Sequence, residues 1–128
     1  MGPTVLIIDD SEDDILLTQM TLRKIEGTLT VETALSGEAG LARLRADGPA
    51  PSLVLLDLKM QGMDGFAVLR AMRADDRLRR IPVVVVTHSD LEADKQASFA
   101  CGANSFLNKS VDLDQFTGNL RGELQKWI

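Results

Sequence analysis

Short runs of β-branched and aliphatic residues alternate along the chain with longer segments of helical periodicity. The runs predict five strands: Val5–Ile8, Leu29–Leu35, Leu53–Leu56, Val83–Val86 and Ser105–Leu107. Three of the runs are continuously apolar, which is typical of central parallel strands buried on both faces. The second run instead alternates apolar and polar residues, as expected for a half-exposed edge strand.

Each segment after a strand predicts a helix that begins with a suitable N-cap residue. The cap candidates are Asp10 or Ser11, Ser36, Asp64, Asp90 and Asp112. The last helix, Leu113–Trp127, repeats apolar residues at helical spacing and should bury that face against the sheet. The residues of this face are Leu113, Phe116, Leu120, Leu124 and Trp127.

Strict alternation of strands and helices predicts an α/β fold with right-handed crossovers. Because the edge strand is second in sequence, we expect a doubly wound five-stranded parallel sheet with strand order 2-1-3-4-5. Five helices should cover both of its faces. We expect residues 1–128 to form a single domain, with no effector domain after the fifth helix.

Polar residues follow the strands at the sheet edge where sites form in such folds. Asp9 and Asp10 follow the first strand, Asp57 the third, Thr87 the fourth and Lys109 the fifth. Three carboxylates repel one another without a cation, and oxygen ligands of this kind suit Mg²⁺. A carboxylate is also a known phosphoryl acceptor. The pattern therefore predicts a Mg²⁺ site at which Asp57 carries a phosphoryl group.

Composition and charge limit the classes of partner that we expect for this protein. The 128 residues carry a net charge of −5, which argues against a nucleic-acid surface. No signal peptide or apolar stretch of spanning length occurs, so no membrane partner is expected. Cys101 is the only cysteine, which fits a reducing compartment. We expect a soluble cytoplasmic protein whose partners are proteins or small ions.

The acids, the hydroxyl and the lysine stand within longer motifs. These are Leu55–Met60, Gly62–Gly65, Pro82–Thr87, Gly102-Ala103 and Phe106–Lys109. In order and spacing they closely resemble the receiver domains of two-component response regulators, over essentially the whole chain. The resemblance implies a flavodoxin-like fold. It also implies a protein that is not an enzyme toward other substrates and catalyses only its own phosphorylation and dephosphorylation.

The resemblance also implies a role for each site residue. Asp57 corresponds to the phosphoacceptor and Asp10 to the direct metal ligand, while Asp9 corresponds to the acid that acts mainly through metal-bound water. The backbone carbonyl of Lys59 corresponds to a further metal ligand. The remaining matches are the switch pair, Thr87 and Phe106, and the lysine that contacts the phosphoryl group, Lys109.

The chain departs from the family pattern at three positions. Gln61 replaces a common proline and should loosen the loop after Asp57. His88 replaces a small residue and either crowds the phosphoryl pocket or points to solvent. Ser110 replaces a proline, so the usual cis peptide is in doubt, because a cis bond before serine costs about 2.5–4 kcal/mol.

A narrower likeness joins the chain to stand-alone regulators paired with phytochrome-type sensor kinases. It rests on Asp75–Pro82, Lys109–Phe116 and the terminal Trp127-Ile128. It implies phosphoryl transfer from a phosphohistidine of a sensor histidine kinase, of bacteriophytochrome type. Without an effector domain, output should pass through protein association, and we expect a homodimer through the fourth helix, fifth strand and fifth helix.

Two other functions compete with this interpretation. A haloacid dehalogenase-type phosphatase would need a second aspartate two residues after its nucleophile, but Ser11 follows Asp9 and Lys59 follows Asp57 at that spacing. A receiver-like interaction module that works without phosphorylation would keep the fold alone. The complete set of site residues disfavours that alternative.

Overall fold

A computed structural model of the protein describes residues 2–128, which form five strands and five helices in strict alternation. The strands are β1 (Thr4–Ile8), β2 (Thr30–Ala34), β3 (Leu53–Leu56), β4 (Val83–Thr87) and β5 (Ser105–Asn108). The helices are α1 (Glu12–Ile25), α2 (Gly37–Arg45), α3 (Gly65–Ala74), α4 (Glu92–Ala100) and α5 (Leu113–Trp127). Every predicted element is present within a few residues of its expected bounds.

The five strands form one parallel sheet in the order β2-β1-β3-β4-β5. This confirms the predicted topology and the flavodoxin-like fold. The strand order reverses between β1 and β3, which are hydrogen-bonded neighbours. Their carboxyl ends, and the residues that follow them, therefore meet at one edge of the sheet.

A separate apolar core covers each face of the sheet. One core joins the sheet to α2 and α3 through residues such as Leu41, Val68 and Met72. The other joins it to α1 and α5 through residues such as Leu22 and Leu120. Because side chains alternate along each strand, a single apolar strand contributes to both cores, which explains the continuous apolar runs.

Four helices begin as predicted, each with a side-chain cap that accepts a backbone N–H bond. These caps are Ser11, Ser36, Asp64 and Asp112. The prediction for α4 was wrong, because Leu91 rather than Asp90 occupies its N-cap position and makes no side-chain cap bond. The hydroxyl of Ser89 instead accepts the Leu91 N–H at 3.3 Å.

Two details of burial also differ from expectation. Leu113 begins α5 but is 48% exposed, because the buried stripe of the helix starts one turn later at Phe116. At the edge strand β2, Val31 and the preceding Leu29 pack against a core, whereas Leu35 lies beyond the strand end and is exposed. Among residues 2–128, no helix has the length and apolar character needed to cross a membrane.

Candidate functional site

Two buried strands deliver the central acids of the site. Asp9 follows β1 and donates its backbone N–H to the carbonyl of Ala34 at 3.1 Å. Asp57 follows β3 and donates its backbone N–H to the carbonyl of Ile8 at 2.9 Å. These bonds extend the sheet by one residue and fix both acids at the same edge. Both acids are buried.

Asp10 completes a group of three carboxylates at this edge. One oxygen from each of Asp9, Asp10 and Asp57 lies within 4.8 Å of the other two. Asp10 is exposed, and its Oδ2 atom accepts the backbone N–H of Gln61 at 3.0 Å. The loop after β3 is thus tied to the acid after β1. An all-oxygen set with one open side fits a hard divalent cation such as Mg²⁺ that retains water ligands.

Lys109 brings the positive charge that the sequence predicted for this edge. Its side chain is only 6% exposed and its Nζ atom contacts the Asp9 carboxylate. The same Nζ atom lies 3.1 Å from Oδ2 of Asp14 and 3.9 Å from Oδ2 of Asp57. Burial lowers the pKa of Lys109, but these carboxylates outweigh burial and raise the pKa above its ordinary value.

Burial and a neighbouring acid both act against the charge of Asp57. Burial raises its pKa, the charge of Lys109 lowers it, and the nearby Asp9 carboxylate raises it again. The Thr87 hydroxyl and the Lys59 backbone N–H also lower it, but the net pKa remains above the ordinary aspartate value. The protein thus keeps a desolvated carboxylate beside a second acid, an arrangement that added positive charge would relieve.

Thr87 ends β4 at the same edge and is fully buried. Its hydroxyl accepts the Ser89 backbone N–H at 3.4 Å, and its carbonyl accepts the Lys109 backbone N–H at 2.8 Å. Phe106, the other member of the predicted switch pair, pairs with Val85 in the sheet register. Phe106 is half-buried against the core that contains α3, and it lies outside the carboxylate group.

Lys59 is placed by its backbone and by its side chain in different surroundings. Its backbone N–H faces the Asp57 carboxylate and lowers the pKa of that group. Its Nζ atom lies 3.1 Å from Oδ2 of Asp94, in the first turn of α4. The same Oδ2 atom accepts a hydrogen bond from the Ser89 hydroxyl at 2.5 Å. The metal-ligand role predicted for the Lys59 carbonyl stays a prediction.

Gly65 allows the loop after Asp57 to close tightly. A Cβ atom at this position would lie 2.3 Å from the Asp57 carbonyl oxygen and 2.7 Å from the Cα of Leu58. The Gly65 N–H donates to the Leu58 carbonyl at 3.0 Å. Only glycine therefore lets α3 begin directly against the backbone of the phosphoacceptor candidate.

The sequence did not lead us to predict Asp14 as a site residue, nor the contacts that His88 makes there. Asp14 lies one helical turn after Asp10, so the four-residue spacing was the available signal. His88 was expected either to crowd the phosphoryl pocket or to point to solvent, but its Nε2 atom lies 3.1 Å from Oδ2 of Asp14 and its Nδ1 atom 3.2 Å from the Ser110 hydroxyl. The Lys109–Ser110 peptide is trans, as the cost of a cis bond before serine favours.

Comparison with known proteins identifies the family. The profile of the family described as "Response regulator receiver domain" matches residues 5–121. The chain therefore belongs to the response regulator receiver domain family. It is 37% identical over 117 residues to Response regulator PleD of Caulobacter vibrioides, covering 88% of this chain and 24% of PleD. The chain thus spans about a quarter of the length of that relative.

A relative of similar length is Response regulator Rcp1 of Synechocystis. It is 35% identical over 133 aligned residues, which cover 97% of this chain and 88% of Rcp1. The solved Mn²⁺-bound form of Rcp1 has a TM-score of 0.81 and 34% identity, covering 98% of this chain and 94% of that chain. The phosphorylated cyanobacterial phytochrome response regulator RcpA has a TM-score of 0.88 and 32% identity, covering 99% of this chain and 94% of RcpA.

Proposed function

We propose that this protein is a stand-alone response regulator that accepts a phosphoryl group onto Asp57 in a Mg²⁺-dependent reaction. The observation that carries this proposal is the group of three carboxylates, Asp9, Asp10 and Asp57, whose oxygens lie within 4.8 Å beside the buried ammonium of Lys109. A structural ion pair needs only one acid for one lysine. Three acids in one group supply the ligands for a cation as well.

The chemistry of the transfer follows from these side chains. The Asp57 carboxylate attacks the phosphorus atom of a phosphohistidine, so that a P–O bond forms and the P–N bond breaks. The histidine nitrogen keeps the electron pair of that bond. No general base is needed, because the attacking carboxylate is already ionised. We infer that the protein is not an enzyme toward separate substrates and catalyses only its own phosphorylation and dephosphorylation.

Charge on the transferred group must be neutralised for such a reaction. Asp9, Asp10 and Asp57, with the Lys59 carbonyl, are the groups that would hold Mg²⁺, which when bound supplies positive charge to the phosphoryl oxygens. Lys109 supplies a second positive group, since its Nζ atom lies 3.9 Å from Oδ2 of Asp57. Thr87 supplies a hydroxyl donor from the end of β4.

The proposed donor is a phosphohistidine on a phytochrome-type sensor histidine kinase. Support comes from the similarity to the phytochrome response regulator RcpA over nearly the full length of both chains. A lone cysteine and a net charge of −5 fit a cytoplasmic protein that does not bind nucleic acid. Phosphotransfer from an autophosphorylated bacteriophytochrome kinase, compared with a sensor kinase of another class, would test the donor.

Output by homodimerisation is proposed for the edge formed by α4, β5 and α5. β5 is an edge strand of the sheet, and the flanking helices expose Phe99 and Leu113 to 41% and 48%. Gly118 and Gly122 face open space, so that another backbone can approach α5 closely there. A symmetric pair using this edge would be an isologous dimer.

Incubation with acetyl phosphate and Mg²⁺, followed by intact-mass analysis, tests the phosphorylation proposal. We expect one labile phosphate adduct on the wild type and none on Asp57→Asn. No adduct on the wild type at saturating Mg²⁺ would favour the alternative, an interaction module of the receiver fold that works without phosphorylation. An equal adduct on Asp57→Asn would place the acceptor elsewhere.

A further inference from the structure

Lys109 contacts one acid that lies outside the proposed metal site. Its Nζ atom contacts Asp9 and lies 3.9 Å from Asp57, both members of the three-carboxylate group. The third partner, Asp14, accepts a hydrogen bond from the same Nζ atom at 3.1 Å and is not a member of that group. An ammonium group has three N–H donors, so Lys109 can serve the site and Asp14 together.

Asp14 is itself fixed from two directions. Its backbone N–H donates to the Ser11 hydroxyl at 3.2 Å, which places it in the capped first turn of α1. Its Oδ2 atom lies 3.1 Å from Nε2 of His88, whose Nδ1 atom lies 3.2 Å from the Ser110 hydroxyl. If Nε2 carries the proton, it donates to Asp14 and Nδ1 accepts from Ser110. This arrangement links α1, the loop after β4 and the loop after β5.

Asp14 is an anion under ordinary conditions. Burial raises its pKa, but the hydrogen bond and charge of Lys109 and the contact with His88 outweigh burial and lower the pKa below its ordinary value. Asp14 thus gives Lys109 a permanent negative partner. Asp9 and Asp57 cannot be permanent partners, because a cation or a phosphoryl group would occupy their oxygens.

We propose that Asp14 is a positioning residue that holds the Lys109 ammonium at the edge of the site when Asp9 and Asp57 bind the metal ion and the phosphoryl group. This inference rests on the proposed function. Asp14 keeps one N–H of Lys109 engaged and leaves the others directed toward the phosphoryl oxygens. His88, which also contacts Ser110, lies against the same Oδ2 atom of Asp14 that accepts from Lys109.

The two properties of Asp14, its charge and its acceptor oxygen, can be separated by substitution. Asp14→Asn keeps an oxygen acceptor of similar reach and removes the charge. Asp14→Ala removes both. Asp13→Ala is the matched control, since Asp13 is an exposed acid in the same helical turn that makes no side-chain hydrogen bond or ion pair among residues 2–128.

Rates of phosphorylation by acetyl phosphate at saturating Mg²⁺ give the first readout. We expect Asp14→Ala to be slower than wild type by about tenfold or more, because a misplaced charged group loses most of its electrostatic effect. Asp14→Asn should stay within about threefold of wild type through its remaining acceptor. Asp13→Ala should match wild type.

The NMR signals of the Lys109 side chain in the metal-free protein give a readout that does not depend on phosphorylation. We expect them to shift and to report faster side-chain motion in Asp14→Ala, and to stay closer to wild type in Asp14→Asn. Mg²⁺ titrations should show affinity about threefold lower in both variants, because both lose a nearby negative charge.

Wild-type rates together with unchanged Lys109 signals in Asp14→Ala would overturn the inference. Equal loss of rate in Asp14→Ala, Asp14→Asn and Asp13→Ala would also overturn it, because the cause would then be the first turn of α1. If the wild type itself accepts no phosphoryl group, the proposed function fails. The Lys109 signals of the metal-free variants would still show whether Asp14 holds the ammonium.

Discussion

The Nζ atom of Lys109 lies 3.9 Å from Oδ2 of Asp57, although the same ammonium makes closer contacts with Asp9 and Asp14. One ammonium group thus faces three carboxylates, and the Asp57 carboxylate is the farthest of the three. The raised pKa of Asp57, caused by burial first and by the charge of Asp9 in addition, agrees with this geometry. The site is short of positive charge by its construction.

This shortage predicts that Asp57→Asn stabilises the metal-free protein at neutral pH. The folded pKa of Asp57 lies above its unfolded value, so ionised Asp57 costs stability at neutral pH. As pH falls from the folded pKa toward the unfolded pKa, the folded state binds the proton first, so the difference between variant and wild type should shrink and then disappear. Thermal melts in EDTA measure this, and about 1 kcal/mol would shift the Tm by roughly 2–8 °C. A variant less stable than wild type at neutral pH would contradict the prediction.

The proposed sharing of one cation by Asp10 and Asp57 leads to a second prediction. Asp10→Ala should lower Mg²⁺ affinity by about tenfold or more, because one of the three carboxylates is lost. It should slow Asp57 phosphorylation in limiting Mg²⁺ to a similar degree. Isothermal titration and acetyl phosphate rates measure the two effects, with the exposed Asp13→Ala as the control. A wild-type rate in limiting Mg²⁺ for Asp10→Ala would exclude a shared cation.

The third prediction concerns the role of the Thr87 hydroxyl in passing a conformational change from Asp57 to Phe106. Phosphorylation would add negative charge and acceptor oxygens at Asp57, and the Thr87 hydroxyl, which accepts the Ser89 N–H, can move to donate to them. Space freed at the end of β4 would let the half-buried Phe106 turn inward. Thr87→Ala should keep phosphorylation within about threefold but weaken the NMR shifts at Phe106. Wild-type shifts in that variant would exclude this route.

Arg73 forms a hydrogen-bond network away from the site, and we expect this network to stabilise the fold. Its guanidinium donates to the carbonyls of Gly102, Arg79 and Ile81 and to the side-chain oxygen of Asn104, at 2.8–3.0 Å. All five N–H donors of the group are used. Arg73→Ala should cost about 2–4 kcal/mol of unfolding free energy, since several carbonyls lose a charged donor.

Urea unfolding measures that loss, and exposed Arg70 in the same helix gives the control. Among residues 2–128, the one hydrogen bond of the Arg70 side chain is a 3.9 Å approach to the Cys101 sulfur. Arg70→Ala should change stability by less than about 0.5 kcal/mol. Equal stability of the Arg73 and Arg70 variants would show that the network contributes nothing.

The sequence was sufficient for the fold because its local signals agree with one another. Apolar runs, cap residues and the alternating second strand all lead to one strand order, and strand order decides which residues meet. Asp9 and Asp57 were therefore predictable at the edge where β1 and β3 end. Their partners in the site, Thr87 and Lys109, followed from the ends of β4 and β5.

Contacts made by long or flexible side chains were not predictable in the same way. Strand order determines the position of the Lys109 backbone. Whether its side chain contacts Asp14 depends on the direction in which the first turn of α1 presents the Asp14 carboxylate. His88 is a similar case, because its ring crosses from the loop after β4 to α1 and reaches Ser110 as well. Leu113 was misplaced because periodicity does not reveal where a helix leaves the core.

The glycines of α5 give the last prediction, which concerns the proposed homodimer. Gly118 and Gly122 lie about 180° from the buried stripe of Phe116, Leu120 and Leu124, at 100° per residue. A Cβ atom at either glycine would meet no other atom within 4 Å, so larger side chains fit the monomer. Each glycine costs about 1 kcal/mol relative to alanine in a helix. Replacing both by leucine should therefore stabilise the monomer and weaken a dimer that packs against this face.

Replacing both glycines by alanine should give a similar gain in stability with a smaller loss of dimer. Light scattering across a concentration series, with and without acetyl phosphate and Mg²⁺, separates the two effects. A wild type that stays monomeric throughout, phosphorylated or not, would exclude the dimer.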